Sequence, residues 1–168
     1  EGLYHLGLMS LEGRGVAQSD QEAARLFALS AQEEFPEAQC ILGSMYKAGR
    51  GVPKDDRAAV RLFRLAAEQG LDEAQFLLGL MCLEGRGVEQ SDQEALQLIR
   101  QACEQEFPEA LCFLGSLHKE GRVVERNDRE AVRLFRLAAD QEDPEGQYCL
   151  GCMLMNGQGV QQDVQEAI

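Results

Sequence analysis

The sequence has few basic residues and no long apolar run, and each shortage excludes a class of partner. Lys and Arg total 16 against 29 Asp and Glu, so the 168 residues carry a formal net charge of −13. A nucleic-acid-binding protein usually presents a clustered basic patch, which this composition does not favour. A membrane-spanning helix needs about 20 consecutive apolar residues, and no run approaches that length. We therefore expect neither nucleic-acid binding nor insertion into a membrane.

Residues that carry out chemistry are also scarce and form no catalytic or metal-binding pattern. The only histidines are His5 and His118. The close pair Cys149 and Cys152 has no second Cys or His pair that would complete a zinc site. We therefore expect no catalytic residue, no metal and no cofactor, and no enzymatic activity. The alternative is a thiol-based redox module that uses Cys149, Cys152 or His118.

What the sequence does contain is a strict internal repeat. A Leu-Gly pair recurs every 36 residues, and Gly-Arg-Gly-Val or a close relative follows it each time. The pairs begin at Leu6, Leu42, Leu78, Leu114 and Leu150. Self-similarity at a fixed period of about 20 to 50 residues is the signature of a solenoid. We predict repeats at 1–36, 37–72, 73–108 and 109–144 and a partial repeat at 145–168, all within one continuous solenoid domain.

Each repeat is predicted to form two helices joined by the glycine-rich loop. The first helix covers repeat positions 1–12, and a glycine at position 13 ends it in a left-handed conformation. The second helix begins after a capping residue at position 19, which is Ser19, Asp55, Ser91, Asn127 or Asp163. A glycine at position 7 interrupts the first helix, and we expect close contact with the alanine at position 23 to offset its cost. Val123 replaces a loop glycine and implies a different or a strained turn.

The order of these features resembles the Sel-one-like repeat (SLR), a relative of the tetratricopeptide repeat. The matching elements are Leu-Gly, Gly-x-Gly-Val, a capping Asp or Ser, and the alanines of the second helix, and they cover the whole chain. The resemblance implies an all-α, right-handed superhelical α/α solenoid. It also implies a scaffold whose first helices line a concave surface. The sequence departs from the bacterial branch of the family that carries a disulfide in nearly every repeat.

The six cysteines mostly occupy positions that are apolar in other repeats, as expected for small buried hydrophobes. Only Cys103 and Cys112 are placed to form a bridge, across the turn between two repeats. The lack of a disulfide framework slightly favours a cytoplasmic location, although the sequence does not establish one.

A second period of two repeats indicates a candidate binding surface. Repeats one and three resemble each other more than they resemble their neighbours, and they differ from repeats two and four at positions 4, 8 and 11 of the first helix. The odd repeats place apolar side chains there: Tyr4, Leu8, Leu11, Phe76, Leu80 and Leu83. We interpret them as alternating apolar patches that bind an extended or helical segment of a partner. The alternative is that they pack against the neighbouring first helices.

Arginine at position 14 forms a ladder along the loops, and Arg50 and Arg86 are candidate anchors for a carboxylate of the partner. The alternative role is hydrogen bonding to the carbonyl groups at helix ends. The sequence as a whole predicts a non-catalytic scaffold or adaptor that binds a protein or peptide. A self-assembling subunit of a larger signalling complex is the other prediction, because solenoids with uncapped ends tend to stack into homo-oligomers.

Overall fold

The computed structural model describes residues 2–161, and within this range the chain forms nine α-helices and no strand. The helices are α1 (Gly2–Glu12), α2 (Asp20–Gln32), α3 (Pro36–Ala48), α4 (Asp56–Glu68), α5 (Asp72–Glu84), α6 (Asp92–Glu104), α7 (Pro108–Glu120), α8 (Asp128–Ala139) and α9 (Pro144–Asn156). Odd-numbered helices are the first helices of the repeats, and even-numbered helices are the second helices. The predicted all-α architecture of helical pairs is confirmed.

The ends of the helices follow the predicted capping pattern. The side chains of four residues at position 19 accept a hydrogen bond from the backbone N–H three residues later: Ser19, Asp55, Ser91 and Asn127. Asp163, the fifth predicted cap, lies outside the described residues. At the other end, Gly49 (φ 71°) and Gly85 (φ 65°) end α3 and α5 in the left-handed conformation, as predicted.

The mid-helix glycine lies against the phenylalanine ring of the second helix. A Cβ atom on Gly7 would lie 2.8 Å from Cε1 of Phe27, and one on Gly43 would lie 2.8 Å from Cε1 of Phe63. Both rings are fully buried. The nearest atoms belong to the phenylalanine four residues after the alanine at position 23, and the contact with that alanine stays a prediction. Dispersion contacts of a whole ring offset the poor helix propensity of glycine.

Val123 has a φ of 64°, which is close to the 70° of Gly51 and Gly87 in the same loop position. Of the two predicted outcomes, the structure therefore shows the strained one, since the turn keeps its conformation around a β-branched residue. Three glutamates, Glu34, Glu106 and Glu142, also have a φ near 60°. They follow the second helices, where repeat two has Gly70 instead.

The chain divides into two compact units, Glu1–Leu98 and Ile99–Ile168, each with its own core. In the first unit, α2 packs between α1 and α3, and α4 packs between α3 and α5. In the second unit, α8 packs between α7 and α9. The loop valines Val52, Val88 and Val160 pack against these cores. The single continuous domain with its repeat boundaries stays a prediction.

Candidate functional site

Three of the predicted partner-binding side chains lie on one face of α1. Tyr4, Leu8 and Leu11 are half-buried and pack against a core that includes Ala24, Phe27 and Leu42. The ring centroid of Tyr4 lies 5.0 Å from that of Phe35 and 6.0 Å from that of Phe27. These side chains therefore contribute to the core on one side, and part of each remains accessible to solvent.

The other three predicted apolar side chains lie on α5 and are also half-buried. Leu83 packs against a core that includes Phe63, Leu78 and Met81, whereas Phe76 and Leu80 lie on the preceding turns of the helix. Leu83 therefore packs as the alternative interpretation expected, and the binding of a partner segment by these residues stays a prediction.

Helix α3, between these two helices, is more polar at the equivalent positions. Cys40 is buried, and Ser44 and Lys47 are half-buried. Burial raises the pKa of the Cys40 thiol far above its ordinary value, and the carboxylates of Glu73 and Glu37 act in the same direction. Burial, followed by the charges of Glu37 and Glu73, also raises the pKa of Tyr4. The N-terminal ends of α3 and α5 therefore place negative charge beside the ring of Tyr4.

The two candidate arginines have carboxylate partners within the chain. The guanidinium of Arg50 lies 2.9 Å from the carboxylate of Asp20, and that of Arg86 lies 2.9 Å from Asp56. Arg86 also donates a second hydrogen bond, from Nε to Asp56 Oδ2 at 3.2 Å. Each pair joins a loop to the first residue of the second helix in the preceding repeat. Their predicted contact with a partner stays a prediction.

Sequence reasoning missed the aspartates that bind these arginines. Aspartate recurs at repeat position 20 in Asp20, Asp56, Asp92 and Asp128, directly after each cap. That recurrence was a usable signal, because an acidic first turn is favoured by the helix dipole and leaves the carboxylate free to bind a cation. The hydrogen bond from Arg86 lowers the pKa of Asp56 below its ordinary range.

The structure brings together two chemistry-bearing residues that lie apart in the sequence. Cys103 and His118 line a groove of about 530 Å³ in the second unit, together with Arg100, Glu130 and Arg133. His118 Nδ1 lies 3.3 Å from the carbonyl oxygen of Glu125. Burial raises the pKa of the Cys103 thiol to about 12. A thiol with this pKa is protonated at neutral pH and is a poor nucleophile.

The cysteines of the chain form no disulfide in the structure. All six cysteines are free, including Cys103 and Cys112, so the bridge that the sequence allowed is not formed. Cys112 instead donates a hydrogen bond of 3.3 Å to Asp143. Burial raises the pKa of Cys149. Residues 2–161 hold no group of three or more potential metal ligands, and no helix among them is long and apolar enough to cross a membrane.

Paired helices, glycine loops in left-handed conformations and loop-to-helix ion pairs define an α/α solenoid of the interaction-repeat class. The chain belongs to the Sel1 repeat family, whose model matches residues 1–34, 36–71, 72–107, 108–143 and 144–168. Members of this family generally serve as protein–protein interaction modules and are typically non-catalytic scaffolds. No curated protein matches the chain in sequence.

Solved structures with the same fold support this assignment. The crystal structure of c5321, a protective antigen of uropathogenic Escherichia coli strains with an SLR fold, is 37% identical with a TM-score of 0.88. The match covers 98% of this chain and 35% of that one. A Sel1 repeat protein from Oxalobacter formigenes is 29% identical with a TM-score of 0.87, and 98% of this chain covers 66% of that one. The chain therefore spans about a third of the length of the Escherichia coli protein and about two thirds of the length of the Oxalobacter formigenes protein.

Proposed function

We propose that the chain is a scaffold that binds a segment of another protein on the face formed by its first helices. The contacts come from Tyr4, Leu8 and Leu11 on α1 and from Phe76, Leu80 and Leu83 on α5. The observation that carries the proposal is that three apolar side chains on α1 and three at the equivalent positions of α5 remain partly exposed, whereas α3 has Cys40, Ser44 and Lys47 at these positions. Partly exposed apolar side chains grouped on one face of a helix are typical of interaction sites.

The charges beside this face indicate the chemistry of the segment. The negative charges of Glu37 and Glu73 contribute to the raised pKa of Tyr4, and the chain as a whole has a net charge of −13. A segment with apolar anchors and at least one Lys or Arg would complement both features. Arg50 and Arg86 have a structural role in this proposal, since each is ion-paired with the preceding repeat. The proposal requires no enzymatic step.

The test is a selection of peptides from a display library on the immobilised chain, followed by affinity measurements with the purified variants. Leu8, Leu11 and Leu83 pack against the cores, so the first variant is the single change Leu80→Ser, checked by a thermal melt. We expect selected peptides to be basic and apolar and to lose about tenfold in affinity, the loss expected when one well-packed leucine contact is removed. The quadruple variant, in which Leu8, Leu11, Leu80 and Leu83 are all changed to Ser, should abolish binding.

The matched control is Leu65→Ser, which removes an exposed leucine from the second helix α4. This variant should bind the selected peptides as the unchanged chain does. Equal affinity of the Leu80→Ser variant and the control would contradict the proposal, as would a selection of acidic peptides. A collapse of the melt in Leu80→Ser would show that this leucine belongs to the core.

A further inference from the structure

The cations of this acidic chain are concentrated on the solvent-exposed side of the second helices. Repeat positions 21, 25, 28 and 29 lie on α2, α4, α6 and α8. In the four complete repeats these positions hold eight of the 16 Lys and Arg residues and none of the 29 Asp and Glu residues. Helix α4 has three of these arginines. It packs between α3 and α5 in an inner repeat, so the exposure of its outer side does not come from an end of the chain.

Three arginines and a leucine form the exposed side of α4. Arg57, Arg61 and Arg64 are spaced at i, i+4 and i+7, which places them on one side of the helix. All three are exposed, and Leu65 is 48% exposed. Because Arg57, Arg61 and Leu65 follow one another at intervals of four residues, two guanidinium groups and an apolar side chain adjoin along the helix.

The carboxylate that neutralises the equivalent arginine in other repeats is missing from α4. In two other repeats, a glutamate three residues earlier in the helix binds this arginine at 2.7 Å: Glu22 with Arg25, and Glu130 with Arg133. In α4 that position is Ala58, and Arg61 has no carboxylate partner within residues 2–161. Arg57 has none in the same range. Two exposed positive charges on α4 therefore remain uncompensated.

The surroundings of these two arginines also favour an anion. The carboxylates of Glu94 and Asp56 are engaged by Arg64 and Arg86, at 2.9 Å each. At the positions of the two arginines, the second helices of the preceding and following repeats carry a cation or neutral amides: Gln21 and Arg25 on α2, and Gln93 and Gln97 on α6. Glu68, one turn after Arg64, limits this surface at the C-terminal end of α4. An incoming carboxylate therefore meets unpaired cations and no opposing charge at these positions.

We propose that Arg57, Arg61 and Leu65 form a docking surface for an acidic segment of a partner protein. We call this surface the α4 outer face. Two carboxylates of the segment pair with the guanidinium groups, which bind carboxylates through parallel N–H donors, and an apolar side chain of the segment covers Leu65. The segment proposed for the first helices is basic, so the two surfaces select partners of opposite charge and stand independently.

Charge complementarity favours a short segment over a larger anionic partner or a second copy of the chain. The net charge of −13 repels a nucleic acid or an anionic membrane that extends beyond the few unpaired cations. The same net charge opposes the approach of a second copy. A segment of a few residues stays within about one Debye length of the cations on the α4 outer face.

The probe is the synthetic peptide Glu-Glu-Leu-Glu-Glu-Leu, and its uncharged counterpart is Gln-Gln-Leu-Gln-Gln-Leu. Each is titrated into the intact, isotope-labelled chain in low-salt buffer, and NMR follows the side-chain Nε–H signals of the arginines. We expect saturable shifts of the Arg57 and Arg61 signals with the acidic peptide and none with the uncharged one. The double variant Arg57→Gln with Arg61→Gln should weaken binding at least about fivefold, as expected when two exposed ion pairs are removed.

The charge-matched control is Arg14→Gln with Arg122→Gln, which removes two exposed loop arginines that are paired with glutamates of their own repeats. It changes the net charge by the same amount and should bind the acidic peptide as the unchanged chain does. Leu65→Ser should weaken binding of the acidic peptide about threefold, because apolar contact area is lost, and should leave the basic peptides of the first-helix face unaffected. The backbone amide signals of α4 measure the affinity of each variant.

Three results would overturn the proposal. The first is the absence of saturable shifts up to about 10 mM acidic peptide, an affinity too weak for specific binding. The second is equal binding of this peptide by the double arginine variant and its charge-matched control. The third is tighter binding of a short single-stranded oligonucleotide, or self-association that the double arginine variant abolishes, since the occupant would then be a nucleic acid or a second copy. None of them bears on the segment-binding face of the first helices, whose test uses Leu80.

Discussion

At the scale of single residues, repeat position 15 shows how far a left-handed backbone conformation destabilises a residue other than glycine. Val123 has a φ of 64°, and Gly87 in the preceding repeat has a φ of 70°. We expect Val123→Gly to raise the free energy of unfolding by about 1 kcal/mol, because a β-branched residue is strained in this region. Gly87→Val should lower it by at least about 3 kcal/mol, because the new Cβ would also collide with the carbonyl oxygen of Asp56. Urea denaturation measures both changes.

Gly15→Val is the matched control for these variants. Gly15 has the same backbone conformation, with a φ of 73°, but its added Cβ would meet only the flexible end of Met9. This variant should therefore show the backbone strain alone, about 1 to 2 kcal/mol. The explanation from close approach would be wrong if Gly87→Val were no more destabilising than Gly15→Val.

At the scale of the elements, the loop of one repeat is joined to the second helix of the preceding repeat by an arginine–aspartate pair. The pair between Arg86 and Asp56 has two hydrogen bonds and is partly buried. We expect Arg86→Ala to lower the free energy of unfolding by about 0.5 to 1 kcal/mol, the range of well-formed surface pairs. A double-mutant cycle with Asp56→Ala should show a coupling energy of similar size.

Arg14→Ala is the comparison for this cycle, because Arg14 is paired with Glu12 of its own repeat and is largely exposed. Its effect on unfolding should be within about 0.3 kcal/mol of zero. A coupling energy near zero between positions 86 and 56 would show that the ion pair does not hold the two repeats together, and that the close approach of Gly87 to Asp56 is sufficient.

At the scale of the whole molecule, the sequence predicted the parts of the fold that depend on local signals. The 36-residue period, the caps such as Ser19 and the helix-ending glycines such as Gly49 each act within a few residues, so the pattern alone predicts them. Contacts between helices were harder to predict. The ring of Phe27 lies closest to the space beside Gly7, and the sequence did not predict this, because ring placement depends on the distance between two helices.

The same limit applies to the candidate site. Periodicity placed Tyr4, Leu8 and Leu11 on one face of a helix, but it gave no measure of how deeply each one packs. The partners of Arg50 and Arg86 were missed because Asp20 and Asp56 are 30 residues away in the sequence. Only the stacked geometry brings the loop and the aspartate together.

The buried thiols make the free energy of unfolding of the whole molecule decrease at alkaline pH. Burial is the main cause that raises the pKa of Cys40, Cys103 and Cys112 from an ordinary value of 9.0. For Cys103 the folded value is about 12. A raised folded pKa gives a stabilising contribution that is complete below pH 9 and is lost as the pH rises towards 12. We therefore expect the free energy of unfolding to fall between pH 9 and 12, because the unfolded chain releases these protons first.

The variant Cys103→Ala isolates one thiol, and alanine is the natural choice because Ala31, Ala67 and Ala139 occupy the same repeat position. Urea denaturation between pH 7 and 11 should give parallel curves for the two proteins up to about pH 8 and a shallower decline for the variant above pH 9. Titration of lysine and tyrosine affects both proteins, so the difference between them reports the Cys103 thiol. Curves that stay parallel to pH 11 would show that the thiol is ionised as easily in the folded chain as in the unfolded one.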